Sequence, residues 1–264
     1  ISRTGRSIEI VRLLDKACAS SARVIAVTNS QDSRLGREAT ISLVIPANFD
    51  HGISVNTYST LSLGAAALAA TVSNRGFDQV APALGAALTA SADLLPAWQE
   101  RIAASTWLRP GAPIYFLARG PSLGSCHAAR LLWEEGVKSP ATCLSTGNFR
   151  HGPQEMVAEG ARFGIWIDAQ RMREEDVAVA RDLRKLGGSV MVIGQNVPED
   201  AGDLVMQLPP IPADWQFVID AIPVQLAAER LARISGVDAD SFRICSYVVE
   251  DEYGLLSKAP KSGD

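Results

Sequence analysis

Short, unbroken apolar runs alternate along this chain with longer stretches whose apolar residues recur every three to four positions. Residues 24–28 and 41–45 are too short for helices and are rich in Val and Ile, as buried strands are. Residues 7–19 carry Ile8, Ile10, Val11, Leu13, Leu14 and Ala17, a helical stripe with Ser7 at its N-cap. The spacing predicts a long Ala- and Leu-rich helix over 55–72, then helices over 77–94 and 97–104 broken at Pro96. Turn residues interrupt the periodicity at 107–113, and the alternation then restarts. Strand 114–118, the turn Arg119-Gly120-Pro121-Ser122 and helix 123–135 come first; strands 141–144 and 163–167 and helix 173–186 follow. Strands 190–193 and 204–207 and a long helix over 214–234 complete the pattern, and the charged tail beyond Gly236 has little regularity.

Strands alternating with helices imply α/β architecture with parallel sheets covered on both faces. The same grammar used twice suggests an internal duplication: two flavodoxin-like, three-layer αβα domains related by a pseudo-twofold axis. The expected domains are residues 1–106 and 107–236, with a tail, 237–264, packed on the site or on a neighbouring subunit. Ile1 reads as the last residue of a buried strand, so an opening strand and helix are expected to precede it.

Composition narrows the function. The 264 residues are 47% hydrophobic, carry a net charge of -4 and scatter their 25 basic residues, which argues against a nucleic-acid or membrane-surface binder. No uninterrupted apolar run reaches about 18 residues, so no spanning helix is expected. Cys18, Cys126, Cys143 and Cys245 lack CxxC spacing, and the three histidines lack ligand spacing. A reduced, cytoplasmic setting without metal fits this better than a zinc site or disulfide framework, and no signal peptide opens the chain.

Two stretches could carry chemistry. Ser2-Arg3-Thr4-Gly5-Arg6-Ser7 lies between a strand end and a helix start. Its hydroxyls, its glycine and the helix N-terminus could cradle a dianion, with Arg3 and Arg6 strengthening the attraction; the alternative is an ordinary Ser-capped helix. Gly147-Asn148-Phe149-Arg150-His151-Gly152-Pro153 follows a strand and fixes a histidine beside a Gly-Pro turn, ahead of a helix start at Gln154. Glu134 and Glu135 end a helix, against its dipole, which marks either a functional acid or a solvated, frayed end. Ser54, Asn56 and Thr57 cluster at a helix start, as caps or as contacts to a sugar. His51 occupies the part of the first half that corresponds to His151, and His127 reads as a packing residue.

At these residues the chain resembles the sugar isomerase (SIS) domain family. The opening loop matches the family's hydroxyl-x-hydroxyl-Gly-x-hydroxyl phosphate loop. Asn148-Phe149-Arg150-His151-Gly152-Pro153 matches the basic-His-Gly-Pro signature of the second such domain in glucosamine-6-phosphate synthase and its relatives, and Glu135 falls where that family places its isomerisation base. The resemblance implies a tandem SIS protein without organic cofactor, a homodimer with a shared active site, acting on a sugar phosphate. By this analogy Ser2, Arg3, Thr4 and Ser7 hold the phosphate, Glu135 moves a proton between C1 and C2, and His151 assists ring opening. Ser54, Asn56 and Thr57 would touch the sugar. The chain departs from the family in several places. Arg3 and Arg6 replace Gln and Glu, Asn148 replaces an acid, and no lysine stands at the Schiff-base position, Lys258 lying further along. Nothing resembles a glutaminase domain. The reading is a phosphosugar isomerase, deaminase or deglycase, and its rival is a non-catalytic sugar-phosphate sensor.

Overall fold

The structure, a computed structural model, describes residues 1–255 apart from 49, 245 and 253; Cys245 and Lys258 lie outside it. The chain divides into two compact units, residues 1–76 with 240–264 and residues 77–239. In unit 1, α1 (Ile8–Ala19), β1 (Ile25–Thr28), α2 (Arg34–Glu38), β2 (Ile41–Val44) and α3 (Asn56–Val72) follow in order. β1 and β2 pair in parallel, and Ser2 makes an isolated parallel bridge to Thr28. A small core of Leu14, Ala26 and Leu35 joins α1 and α2 to the sheet.

Unit 2 contains α4 (Phe77–Ala104), β3 (Ile114–Ala118), α5 (Ser122–Leu132), β4 (Thr142–Ser145), α6 (Thr146–Phe149), β5 (Arg162–Trp166), α7 (Arg173–Lys185), β6 (Ser189–Gln195), β7 (Leu204–Leu208) and α8 (Ile222–Ile234). Its sheet is wholly parallel, in the order β4-β3-β5-β6-β7, which is the doubly wound, flavodoxin-like arrangement expected from the sequence. Successive strand residues face opposite layers. Leu117 and Ile165 pack with Val177, Ala180 and Leu183 of α7, whereas Phe116 stands edge-on to Trp133 and Trp166. Gly164 permits that aromatic cluster, since a Cβ there would lie 2.7 Å from the Phe116 ring.

Four expectations are corrected. The helices proposed over 77–94 and 97–104 form one continuous helix that contains Pro82 and Pro96. Leu84, Ala87, Ser91, Trp98 and Ile102 share its buried face, and Trp98 Nε1 donates to the Gln207 carbonyl at 3.2 Å, so packing within unit 2 outweighs the missing backbone donor. This is also why α4 groups with unit 2 and the division falls after Gly76 rather than at 107. By length and composition α4 could cross a bilayer, contrary to the expectation of no such helix. Finally, the helix over 214–234 is divided: residues 213–218 form 3-10 turns, and α8 begins only at Ile222, with Pro223 in its first turn.

Candidate active site

The opening loop is held by its own backbone. Ser2 donates its N–H to Val27 O at 3.0 Å, while Arg3 O accepts from Asn29 N at 3.2 Å and from Thr28 Oγ1 at 3.1 Å. Gly5 turns the chain at a φ of +61°, and a Cβ there would lie 2.5 Å from Ser33 Oγ, so this position requires glycine. Ser2 Oγ accepts the Gly5 N–H at 3.1 Å and Thr4 Oγ1 accepts the Arg6 N–H at 3.3 Å, which leaves each hydroxyl proton able to donate. Ser7 occupies the N-cap of α1, but its side chain makes no capping hydrogen bond. Capping therefore does not account for its hydroxyl.

A cavity of about 480 Å³ opens beside this loop, lined in part by Arg3, Thr4, Arg6, Asp50, Thr57 and Tyr247. Ser2 and Ser7 are not among its lining residues. Arg3 spans the site: it donates to Ser54 Oγ at 3.1 Å and to Tyr247 O at 3.2 Å, and its guanidinium lies 4.1 Å from the centre of the Tyr247 ring. Tyr247 Oη donates to Asp50 O at 3.0 Å, and Ile8 N, the first donor of α1, bonds to Val249 O at 3.0 Å. The tail thus reaches the loop within unit 1.

The start of α3 is capped from a distance. The buried Asp50 carboxylate accepts from Asn56 N at 3.0 Å and Thr57 N at 2.8 Å, so neither Ser54 nor Asn56 is the cap. Thr57 is buried at the cavity and Ser54 meets Arg3, but Asn56 is exposed and does not line the cavity. The sequence reasoning missed Asp50 as a cap and Tyr247 and Asn29 as lining residues. A carboxylate ahead of a helix start was the available signal for Asp50.

Glu135 and His151 belong to unit 2. α5 ends at Leu132 and passes into a π-helical turn, Trp133–Val137, a wider turn than the continuous helix expected through 135. Such turns concentrate at functional positions. The exposed Glu134 pairs with Arg130 at 3.0 Å, Glu135 is half-buried, and Lys138, with a φ of +59°, reaches back to the Glu135 carbonyl. His151 is exposed between α6 and a 3-10 turn, Pro153–Met156, which replaces the helix expected there; Gly152 beside it has a φ of +128°. Ser145 caps α6, accepting from Asn148 N at 3.1 Å. His51 is exposed, and so is His127, which corrects its reading as a packing residue.

The sequence reasoning also missed two buried carboxyls at the carboxyl ends of the strands of unit 2. Asp176, fully buried, receives Arg119 Nε at 2.7 Å and Asp168 N at 3.1 Å. Burial raises its carboxyl above the ordinary range against the pull of Arg119. Asp220, also fully buried, accepts from Ser122 Oγ at 2.6 Å, and desolvation pushes it up to about 7. Among the described residues no group of three or more His, Cys, Asp and Glu could hold a metal.

Residues 1–72 match the SIS domain family. The glutamine--fructose-6-phosphate aminotransferase [isomerizing] of Zymomonas mobilis is 25% identical over 261 residues, covering 92% of this chain and 42% of the relative. That of Thermus thermophilus is 25% identical over 255 residues with the same shares. The chain therefore spans about two fifths of the length of these relatives. Solved structures of similar fold include a glucosamine-6-phosphate deaminase from Thermotoga maritima, with a TM-score of 0.73 at 21% identity over 94% of this chain and 73% of that one. Tagatose-6-phosphate ketose/aldose isomerase from Escherichia coli gives a TM-score of 0.72 at 20% identity over 90% and 68%. The match to the SIS domain family thus covers the opening loop and the rest of residues 1–72, and the fold of the chain is similar to those of these solved structures.

Proposed function

We propose that this chain catalyses aldose–ketose proton transfer on a hexose or aminohexose 6-phosphate, as an isomerase, deaminase or deglycase that passes through an enediol or enolamine. The observation that carries this reading is the opening loop, which brings Arg3, Thr4 and Arg6 to a cavity beside the start of α1. In this reading Ser2, Arg3, Thr4 and Ser7 take the phosphate, and Ser54 and Thr57 take sugar hydroxyls. Glu135 removes the proton α to the carbonyl and returns it to the neighbouring carbon. A half-buried carboxylate on this turn suits that task, because it stays open to a bound sugar while the protein covers part of it. His151, exposed beside a glycine turn, protonates the ring oxygen during opening, a step suited to an imidazole near neutral pH. The protein would work as a cytoplasmic homodimer.

The test is exchange with solvent deuterium, followed by proton NMR, at C1 of fructose 6-phosphate and at C2 of glucose 6-phosphate and glucosamine 6-phosphate. Glu135→Gln should bind within about threefold of wild type while exchange falls by at least about 10³-fold, the loss expected of a general base. If the wild-type protein binds these compounds and exchanges no proton in any of them, it is a sensor and the catalytic reading fails.

A further inference from the structure

Two of the scattered cysteines meet inside unit 2. Cys126 on α5 is fully buried, Cys143 on the edge strand β4 is half-buried, and their sulfur atoms stand 2.8 Å apart. That separation is within about 1 Å of the disulfide bond length of roughly 2.05 Å. The sugar-phosphate reading uses neither thiol. We propose that Cys126 and Cys143 form a reversible thiol–disulfide modification site, oxidised by hydrogen peroxide.

The environment divides the work between the two sulfurs. The Cys143 thiol lies below its ordinary value, chiefly because Cys126 donates a hydrogen bond to it and further because Arg130 is near; Cys126, which keeps the shared proton, is pushed up. Cys143 is thus the thiolate that a small oxidant can reach, and burial shields Cys126 from direct attack. In the first step the Cys143 sulfur attacks one peroxide oxygen, the O–O bond breaks, and the departing hydroxide takes a proton to become water. Cys143 is then a sulfenic acid. In the second step the Cys126 sulfur attacks the Cys143 sulfur. The S–O bond breaks, the proton of Cys126 leaves with that oxygen as a second water, and the S–S bond forms. Two thiols are oxidised and one peroxide is reduced. The bond would tie α5, which runs into the turn bearing Glu135, to β4, which runs into the segment bearing His151, closing a loop between residues 17 apart.

The inference stands apart from the sugar chemistry, so its test needs no substrate. Of the 4 cysteines, Cys18→Ser and Cys245→Ser leave this pair alone in an otherwise unchanged chain. The protein is treated with a few equivalents of hydrogen peroxide, quenched, unfolded and alkylated with iodoacetamide, and its intact mass is read. The expected product is a monomer that has lost two hydrogen atoms, takes up no alkyl group, and regains two alkylatable thiols after dithiothreitol. Persistence of both thiols, or conversion of Cys143 to a sulfinic acid while Cys126 still alkylates, overturns the proposal. Cys126→Ser in the same background should instead drive Cys143 to sulfinic acid, and oxidation no different from that of the parent would refute it. If that variant does not fold, Cys143→Ser serves: its lone Cys126 should stay alkylatable after peroxide, and ready oxidation of Cys126 by itself would count against the scheme.

Discussion

Replacing Asp220 by asparagine should flatten the pH dependence of the stability of unit 2. Asp220 is fully buried; Ser122 Oγ donates to Oδ2 at 2.6 Å, and Oδ1 has no hydrogen-bond partner among the described residues. Desolvation raises its carboxyl from 3.8 to about 7, with the Ser122 bond pulling part of the way back. Between those two values the folded chain holds a proton that the unfolded chain has released. The folded state is therefore favoured at acid pH, and stability falls as pH rises toward 7. The span is roughly three pH units at about 1.4 kcal/mol each, or on the order of 4 kcal/mol in total. About 2 kcal/mol of this falls between pH 5 and pH 7, because the folded-state carboxyl is already half ionised at pH 7. Asparagine keeps a neutral group of the same shape at every pH, so wild-type stability minus that of Asp220→Asn should drop by that amount across this interval. Urea unfolding followed by tryptophan fluorescence reads it directly, because all 5 tryptophans lie within residues 77–239. Parallel stability curves for the two proteins from pH 5 to pH 8 would show that burial does not control this carboxyl.

Ser7→Ala should leave the stability of α1 within about 0.5 kcal/mol by amide exchange, because the side chain makes no capping bond that the change could remove. Affinity for fructose 6-phosphate should fall at least about tenfold, the effect of one lost bond to a charged group, and unchanged affinity by calorimetry would take Ser7 out of the phosphate site. Arg119→Met strands the Asp176 carboxylate in the interior and should cost about 3 kcal/mol at pH 7 in the same fluorescence assay. Adding Asp176→Asn should recover most of that loss, and a penalty below about 1 kcal/mol for the single change would mean that the pair is well solvated.

The strands were legible because each is an unbroken apolar run, and β3, β4, β5, β6 and β7 all fall within a residue or two of the expected spans. The helices were less so. Pro96 looks like a break in any local reading, and only the burial of Trp98 and Ile102 beyond it shows why the helix continues. The reverse holds at 214–234, where the 3-10 turns stop at Val218 and Asp220, inside an apolar pattern, turns inward to Ser122 before α8 begins. No change of composition marks the division after Gly76, because packing decides which unit α4 joins. At the site, the hydroxyl and glycine spacing of the opening loop was visible in the residues themselves. Tyr247 was not, since it meets Arg3 across 244 positions and Asp50 across 197, distances over which no local pattern operates.

Unit 2 is one uninterrupted length of chain, whereas unit 1 leaves off at Gly76 and resumes at Asp240. On a ribosome, unit 2 can consolidate while the partners of Arg3 and Ile8 at Tyr247 and Val249 have yet to be made. Maturation of the opening loop therefore waits until residues 240–249 have been synthesised. Truncation just after Ala239 should spare the five-stranded sheet yet leave that loop unfinished.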